Sequence, residues 1–337
     1  MASWFGGRKS LKGEWIPLLA RSGASGATGL AVSAAGANLL EAQRGCHVAL
    51  ALSLTAAGDE APPLRGAAGV PTAPPADDAV VAWAFSTPVS TARDVAVIYV
   101  ETPATLAPAP DDAVARLLCA LFLAASVVIY RPPAGGAAAQ ISPWEALQAC
   151  MPRARFHADR DATTEAERDG VCEAMPTLVW AFAEKPTGAA SATKALEALL
   201  APEKGFAEDA ARRNNARLLL ASLFRRREAQ YPNDDDGLRD RACAAAQPKP
   251  AFGHAPTGAM VARQLEVWCS GLADDDAASV IAAQTAAVAR LYDDALASAT
   301  AAHAAAVDTA EAEGLRGNAL EAALGDAAVA AHAALSD

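Results

Sequence analysis

Aromatic residues make up only 5% of this 337-residue sequence, and no two of its six cysteines form a C-x-x-C pair. The first shortage limits the area each core residue can bury, because aromatic rings carry the largest apolar surface. The second argues against a structural zinc site. Cys46, Cys119, Cys150, Cys172, Cys243 and Cys269 are scattered, several of them inside apolar runs. A free thiol there behaves as a small hydrophobe, which predicts a reducing compartment. His47, His157, His254, His303 and His332 likewise show no metal-ligand spacing, so no metal is expected.

Positive charge is also short, with 28 Lys and Arg against 39 Asp and Glu and a formal net charge of −11. A basic face is what displaces counterions from nucleic acid or meets an anionic membrane, so neither partner is expected. Long apolar runs are missing too. The longest, Leu117 to Tyr130, lies between Arg116 and Arg131 and is too short for a transmembrane helix, which needs about 20 residues. Arg8, Lys9 and Lys12 are not followed by the apolar stretch of a signal peptide. The expectation is an intracellular, cytoplasmic protein, with the basic segment 1–13 leaving organellar targeting open.

What the chain has in quantity is alanine and short apolar strands. His47–Leu54 (HVALALSL), Val80–Ser86, Val95–Val100, Val127–Tyr130 and Thr177–Phe182 read as buried strands. Between them lie helical stretches at Ser33–Gln43, Asp112–Ala125, Ile141–Cys150, Ser191–Leu200 and Glu208–Phe224. Strands alternating with helices predict an α/β domain with a mostly parallel central sheet and helices on both faces. After the linker Gln247–Gly258 the pattern changes to Ala-rich helix without strands. The predicted organisation is an N-terminal extension over 1–13, an α/β domain over 14–245, a linker over 246–258 and a short all-α segment over 259–337.

The strand HVALALSL runs into Thr55-Ala56-Ala57-Gly58-Asp59-Glu60, a glycine-containing loop before a helix. That frame is where a phosphate loop sits, and its chemistry needs G-x-x-x-x-G-K-S/T: glycines to bring backbone N–H groups onto phosphate oxygens, Lys for charge, a hydroxyl for magnesium. Here Asp59 stands at the Lys position and Glu60 at the hydroxyl position. On its own the loop reads first as an ordinary strand-to-helix turn with acidic N-cap residues.

The order of further stretches is similar to the guanylate-binding protein family, large GTPases related to the atlastins. ANLLEAQRGCHVALALSL resembles the family's short helix and first strand, and LTAAGDEAPPLRGAAG its L-x-x-T-G-K-S loop and helix. VVAWAF resembles its G-I-W-M-W strand, VAVIYVETPATL the strand ending in D-T-E-G-L, and MPTLVWAFAEKP the F-V-W-x-L-R-D strand. GAMVARQLEVWCSGL resembles the segment opening the family's helical region. The resemblance implies a P-loop GTPase-like fold over roughly 14–245.

The departures fall on the chemical positions. Besides Gly58, Asp59 and Glu60, the magnesium-side Asp of D-T-E-G becomes Glu101, Thr102 is kept, and the guanine-reading Arg-Asp becomes Ala183 and Glu184. The resemblance therefore implies vestigial nucleotide-site positions and no catalytic residue: a pseudo-GTPase serving as a structural or protein-interaction module, with no cofactor. Its alternative is a divergent, slow GTPase using GTP and Mg2+. An enzyme would need a cation near the loop to replace the missing Lys, and Arg65 is the nearest in sequence. Gly23-x-x-Gly26-x-x-Gly29 looks like a dinucleotide fingerprint but lacks a preceding strand. Gly6-Gly7-Arg8-Lys9-Ser10 likewise lacks one, and Asp234-Asp235-Asp236 reads as an exposed turn.

Overall fold

The computed structural model describes residues 11–22, 29–56, 63–70, 72–160, 163–185, 191–205, 207–231, 235–273 and 277–336. The chain opens with an antiparallel pair, β1 (Trp15–Ser22) and β2 (Gly29–Val32), followed by α1 (Ala34–Glu41). Ser33 caps α1 by accepting a hydrogen bond from the Gly36 amide at 2.9 Å. Then come β3 (His47–Thr55), α2 (Pro63–Ala67), β4 (Val80–Phe85), β5 (Val95–Glu101), α3 (Asp112–Ala124) and β6 (Val127–Arg131). Asp111 caps α3 and Asp112 lies in its first turn, both at the positive end of the helix.

After β6 follow α4 (Ala137–Ile141), α5 (Leu147–Cys150), β7 (Ala154–Arg155), α6 (Glu165–Ala174), β8 (Thr177–Ala181), α7 (Ala192–Leu200), α8 (Glu208–Leu223), β9 (Arg227–Gln230) and α9 (Asp235–Ala245). The chain ends in α10 (Gly258–Ala273), β10 (Ala278–Ser279), α11 (Val280–Ala312) and α12 (Asn318–Ser336).

The described strands form an eight-stranded sheet in the order β2-β1-β4-β5-β3-β6-β8-β9. β3 pairs parallel with β5 on one side and β6 on the other, and the parallel run continues through β8 and β9. β4 is antiparallel to both β5 and β1. This is the predicted α/β class with a mostly parallel sheet.

Side chains alternate across β3 with the two-residue period of a strand. Val48, Leu50, Leu52 and Leu54 join the larger apolar core, with α1, α3, α8 and α10. Ala49 and Ala51 face the other side, where Ala67, Leu238 and Ala242 from α2 and α9 close over them. Helices cover both faces, which is why the strands are apolar along their length. The first helix of the C-terminal segment belongs to the same core: Val261, Leu265, Trp268 and Leu272 of α10 pack there.

Several local readings change. The helix expected over Ile141–Cys150 is broken into α4, a 3-10 turn at Ser142–Ala146, and α5. Pro143 lacks the N–H that would continue the ladder. The C-terminal segment is not helix throughout, because β10 pairs parallel with β7. The turn expected at Pro232–Gly237 gives way to α9 from Asp235 onward, with 232–234 outside the described residues. The strand β9 and the helix α6 have no counterpart in the sequence reading. Arg227, in β9, donates to the carbonyls of Ala221 at 2.8 Å and Phe224 at 2.9 Å, so part of the Arg225–Arg227 run caps the end of α8. No described helix is long and apolar enough to cross a membrane.

Candidate functional site

β3 lies between the parallel strands β5 and β6, and the connections leaving it and β5 diverge to opposite sides. In open α/β sheets the crevice beyond the strand C-termini at such a point is the usual ligand site. β3 ends at Thr55 and β5 at Glu101, and Ser53 and Glu101 are register partners. The Leu106 amide donates to the Thr55 carbonyl at 3.1 Å, tying the chain after β5 to the end of β3. Gly58, Asp59 and Glu60 lie outside the described residues. So do 1–10, holding the Gly6–Ser10 stretch, and all of the Gly23–Gly29 stretch but Gly29, the first residue of β2.

Glu101 is only 2% exposed. A bare carboxylate at that depth is costly, and its oxygens need charged or hydrogen-bonding partners. Arg65, on α2 immediately after the loop, supplies them: its Nε donates to Glu101 Oε1 at 2.8 Å and its Nη2 to Oε2 at 2.5 Å. This is the two-pronged geometry in which a guanidinium binds a carboxylate most specifically. The Tyr99 hydroxyl donates to Oε1 at 2.5 Å. Hydrogen bonding to Glu101 raises the Arg65 pKa. Burial, followed by the negative charge of Glu101, pushes the Tyr99 phenol well above its ordinary value, so it remains a neutral donor.

Thr102 is committed as well. Its hydroxyl donates to the Val81 carbonyl at 2.8 Å and accepts from the Ala104 amide at 3.1 Å. The residue at the retained position thus ties the end of β5 to β4.

A magnesium ion does not fit this arrangement. Both Glu101 oxygens accept from cationic or phenolic donors, and the Thr102 hydroxyl is occupied by backbone. Among the described residues no group of three or more His, Cys, Asp or Glu is placed to hold a metal.

Ala183 and Glu184 follow β8 at the same edge of the sheet, and both are exposed. Among the described residues Glu184 has no hydrogen bond or ion pair. The topology therefore brings Glu101, Thr102, Ala183 and Glu184 to one edge, while only Glu101 and Thr102 are held in a bonded arrangement. Tyr99 escaped the sequence reading. Its two-residue spacing from Glu101, which places both on one face of the strand, was the available signal. Arg65 was visible only as the nearest cation, and its bond to Glu101 was not.

No protein-family model matches the chain, and no curated protein matches it at a significant level.

Proposed function

We propose that this chain is a pseudo-GTPase of guanylate-binding-protein type, a fold kept as a structural or protein-interaction module with GTP binding weak or absent. The observation that carries the reading is the Arg65–Glu101–Tyr99 cluster. An internal guanidinium neutralises the acid that would serve a metal, and the same bond diverts the nearest cation from the phosphate loop. The position of β3 between β5 and β6, with its loop leading into α2, supports the P-loop-like frame.

The loop sequence points the same way. A Lys about 4 Å from a phosphate oxygen gains on the order of 4 kcal/mol at an effective dielectric near 20. Asp59 replaces that attraction by repulsion, and Glu60 adds a second negative charge. Even strongly discounted, such a change weakens nucleotide binding by about a thousandfold or more. Titration with a fluorescent GTP analogue and Mg2+ is expected to give no saturable binding. Saturation below about 10 μM, or phosphate release above buffer background, would return the divergent, slow GTPase in its place.

The partner we assign is a protein, engaged through α11 and α12. These helices are rich in alanine, and Tyr292 and Leu296, one helical turn apart, are each 59% exposed. Val329 of α12 is 70% exposed. A helix pair joined mainly through alanine buries little area per residue. Limited proteolysis of the isolated chain is expected to remove residues within 280–337 first. Resistance of that segment equal to that of the sheet would remove the reason for invoking a partner.

A further inference from the structure

At the opposite edge of the sheet, by the beginnings of β3 and β6, lies a cavity of about 410 Å³. Its walls come from Val48 and Leu50 of β3, the segment 247–256, α6, and the helices α10 and α11. The volume falls in the range of small-molecule sites, on the order of 300–1,000 Å³. We propose that this cavity binds a small amphipathic monoanion: an apolar body carrying one carboxylate.

The apolar body is called for by the walls. Val48, Leu50, Phe156, Val261 and Trp268 line the cavity. The Trp268 ring is fixed in place, because its Nε1–H donates to the Ser279 carbonyl at 3.2 Å. Phe156 packs so closely over Gly170 that a Cβ there would lie 2.3 Å from its ring. The apolar side of the cavity is therefore pre-formed.

The carboxylate is called for by three polar groups on the lining. Lys249 reaches the C-terminal end of α3 and donates to the carbonyls of Leu123 at 2.8 Å and Phe122 at 3.2 Å. An ammonium has three donors, so one remains without a described acceptor. Its stem is half-buried while the charged end lies deep. Desolvation, with a contribution from Arg226, holds its pKa well below the usual lysine range. Arg226 is exposed at the cavity and has no side-chain ion pair among the described residues. Glu173 is the one acid on the lining. Its charge falls partly on Arg225, which is itself paired with Asp169. A carboxylate in the cavity would meet Arg226 and hold Lys249 in its ammonium form, against the one acid Glu173.

Gln264 of α10 is the third group and the most telling. It is 7% exposed, lines the cavity, and its amide makes no hydrogen bond to any described residue. The amide is not sealed in protein but opens onto the cavity, so a ligand oxygen placed there can accept from its N–H. Two cations and an amide donor around one end, with aliphatic and aromatic walls at the other, match one carboxylate on an apolar chain. A multiply charged phosphate ester would leave the apolar wall unused and exceed the net positive charge of the lining.

The test is isothermal titration of the full chain with octanoate and with its neutral amide, octanamide. Single-site octanoate binding is expected, with octanamide at least about tenfold weaker. The variants Gln264→Leu and Arg226→Gln are each expected to weaken octanoate by about tenfold. Gln264→Leu is expected to melt close to the parent, since its amide makes no hydrogen bond to a described residue, and that comparison separates lost binding from lost fold. No octanoate heat at millimolar concentration overturns the proposal. So does equal binding of acid and amide, or octanoate affinity untouched in both variants. The cavity and the β3–β5 crevice lie at opposite edges of the sheet, so neither this result nor the GTP titration decides the other.

Discussion

An Arg65→Met variant is expected to lose about 3–5 kcal/mol of folding stability, the usual effect of removing one partner from a buried ion pair. The Glu101 side chain is 2% exposed, whereas the Arg65 side chain is 20% exposed. Removing the guanidinium leaves the carboxylate with the Tyr99 hydroxyl as a side-chain donor. For a chain of this size the loss corresponds to a fall in Tm of roughly 4–7 °C. The double variant Arg65→Met with Glu101→Gln is expected to recover most of it, because replacing both charges of a buried pair is often close to neutral. Urea denaturation of the parent, the single and the double variant measures all three. A single-variant loss below about 1 kcal/mol, the range of a surface pair, would mean that the cluster is solvated. The argument that Arg65 excludes a metal would then fail.

Gly258→Ala is expected to cost about 3 kcal/mol or more, at the upper end of overpacking effects. A Cβ built at Gly258 would stand 1.8 Å from the Leu40 carbonyl oxygen and 2.4 Å from its carbon. These are backbone atoms of the adjoining helix α1, so no rotamer change relieves the contact, and α10 must shift off the sheet. Gly325 in α12 is the control, since nothing lies within 4 Å of its Cβ position. There the same substitution is expected to stabilise by about 0.8–1 kcal/mol through helix propensity. Equal melting temperatures for Gly258→Ala and the parent would show that α10 does not sit against α1 as described.

The central strands could be read from the sequence because each is buried on both faces, so four to eight consecutive apolar residues announce them. β9 could not, because it is an edge strand: of Arg227–Gln230 only Ala229 is buried, and the polar residues around it carry no strand signal. The break between α4 and α5 was marked by Pro143, but the apolar run across it looked continuous. At the candidate site, Glu101 and Thr102 could be placed by their position after an apolar strand. The Arg65–Glu101 bond could not, because it joins residues 36 apart whose meeting depends on how α2 returns over the sheet. Gln264 and Lys249 were invisible for the same reason. Their spacing in sequence says nothing about a cavity assembled from a strand, a loop and three helices.

The packing of α10 into the core of the sheet has a consequence for synthesis of the chain. β2 and α1 are made early, yet the helix that covers them begins only at Gly258. Arg116 likewise donates to the Leu272 carbonyl, a partner 156 residues further along. At 5–20 residues per second, a nascent chain carries the uncovered face of α1 for about 10–45 s before its cover is made. During that interval Leu40, fully buried in the finished protein, has no α10 to pack against. The growing chain thus presents an apolar face to chaperones, and a ribosome stalled before residue 258 holds a sheet that cannot close.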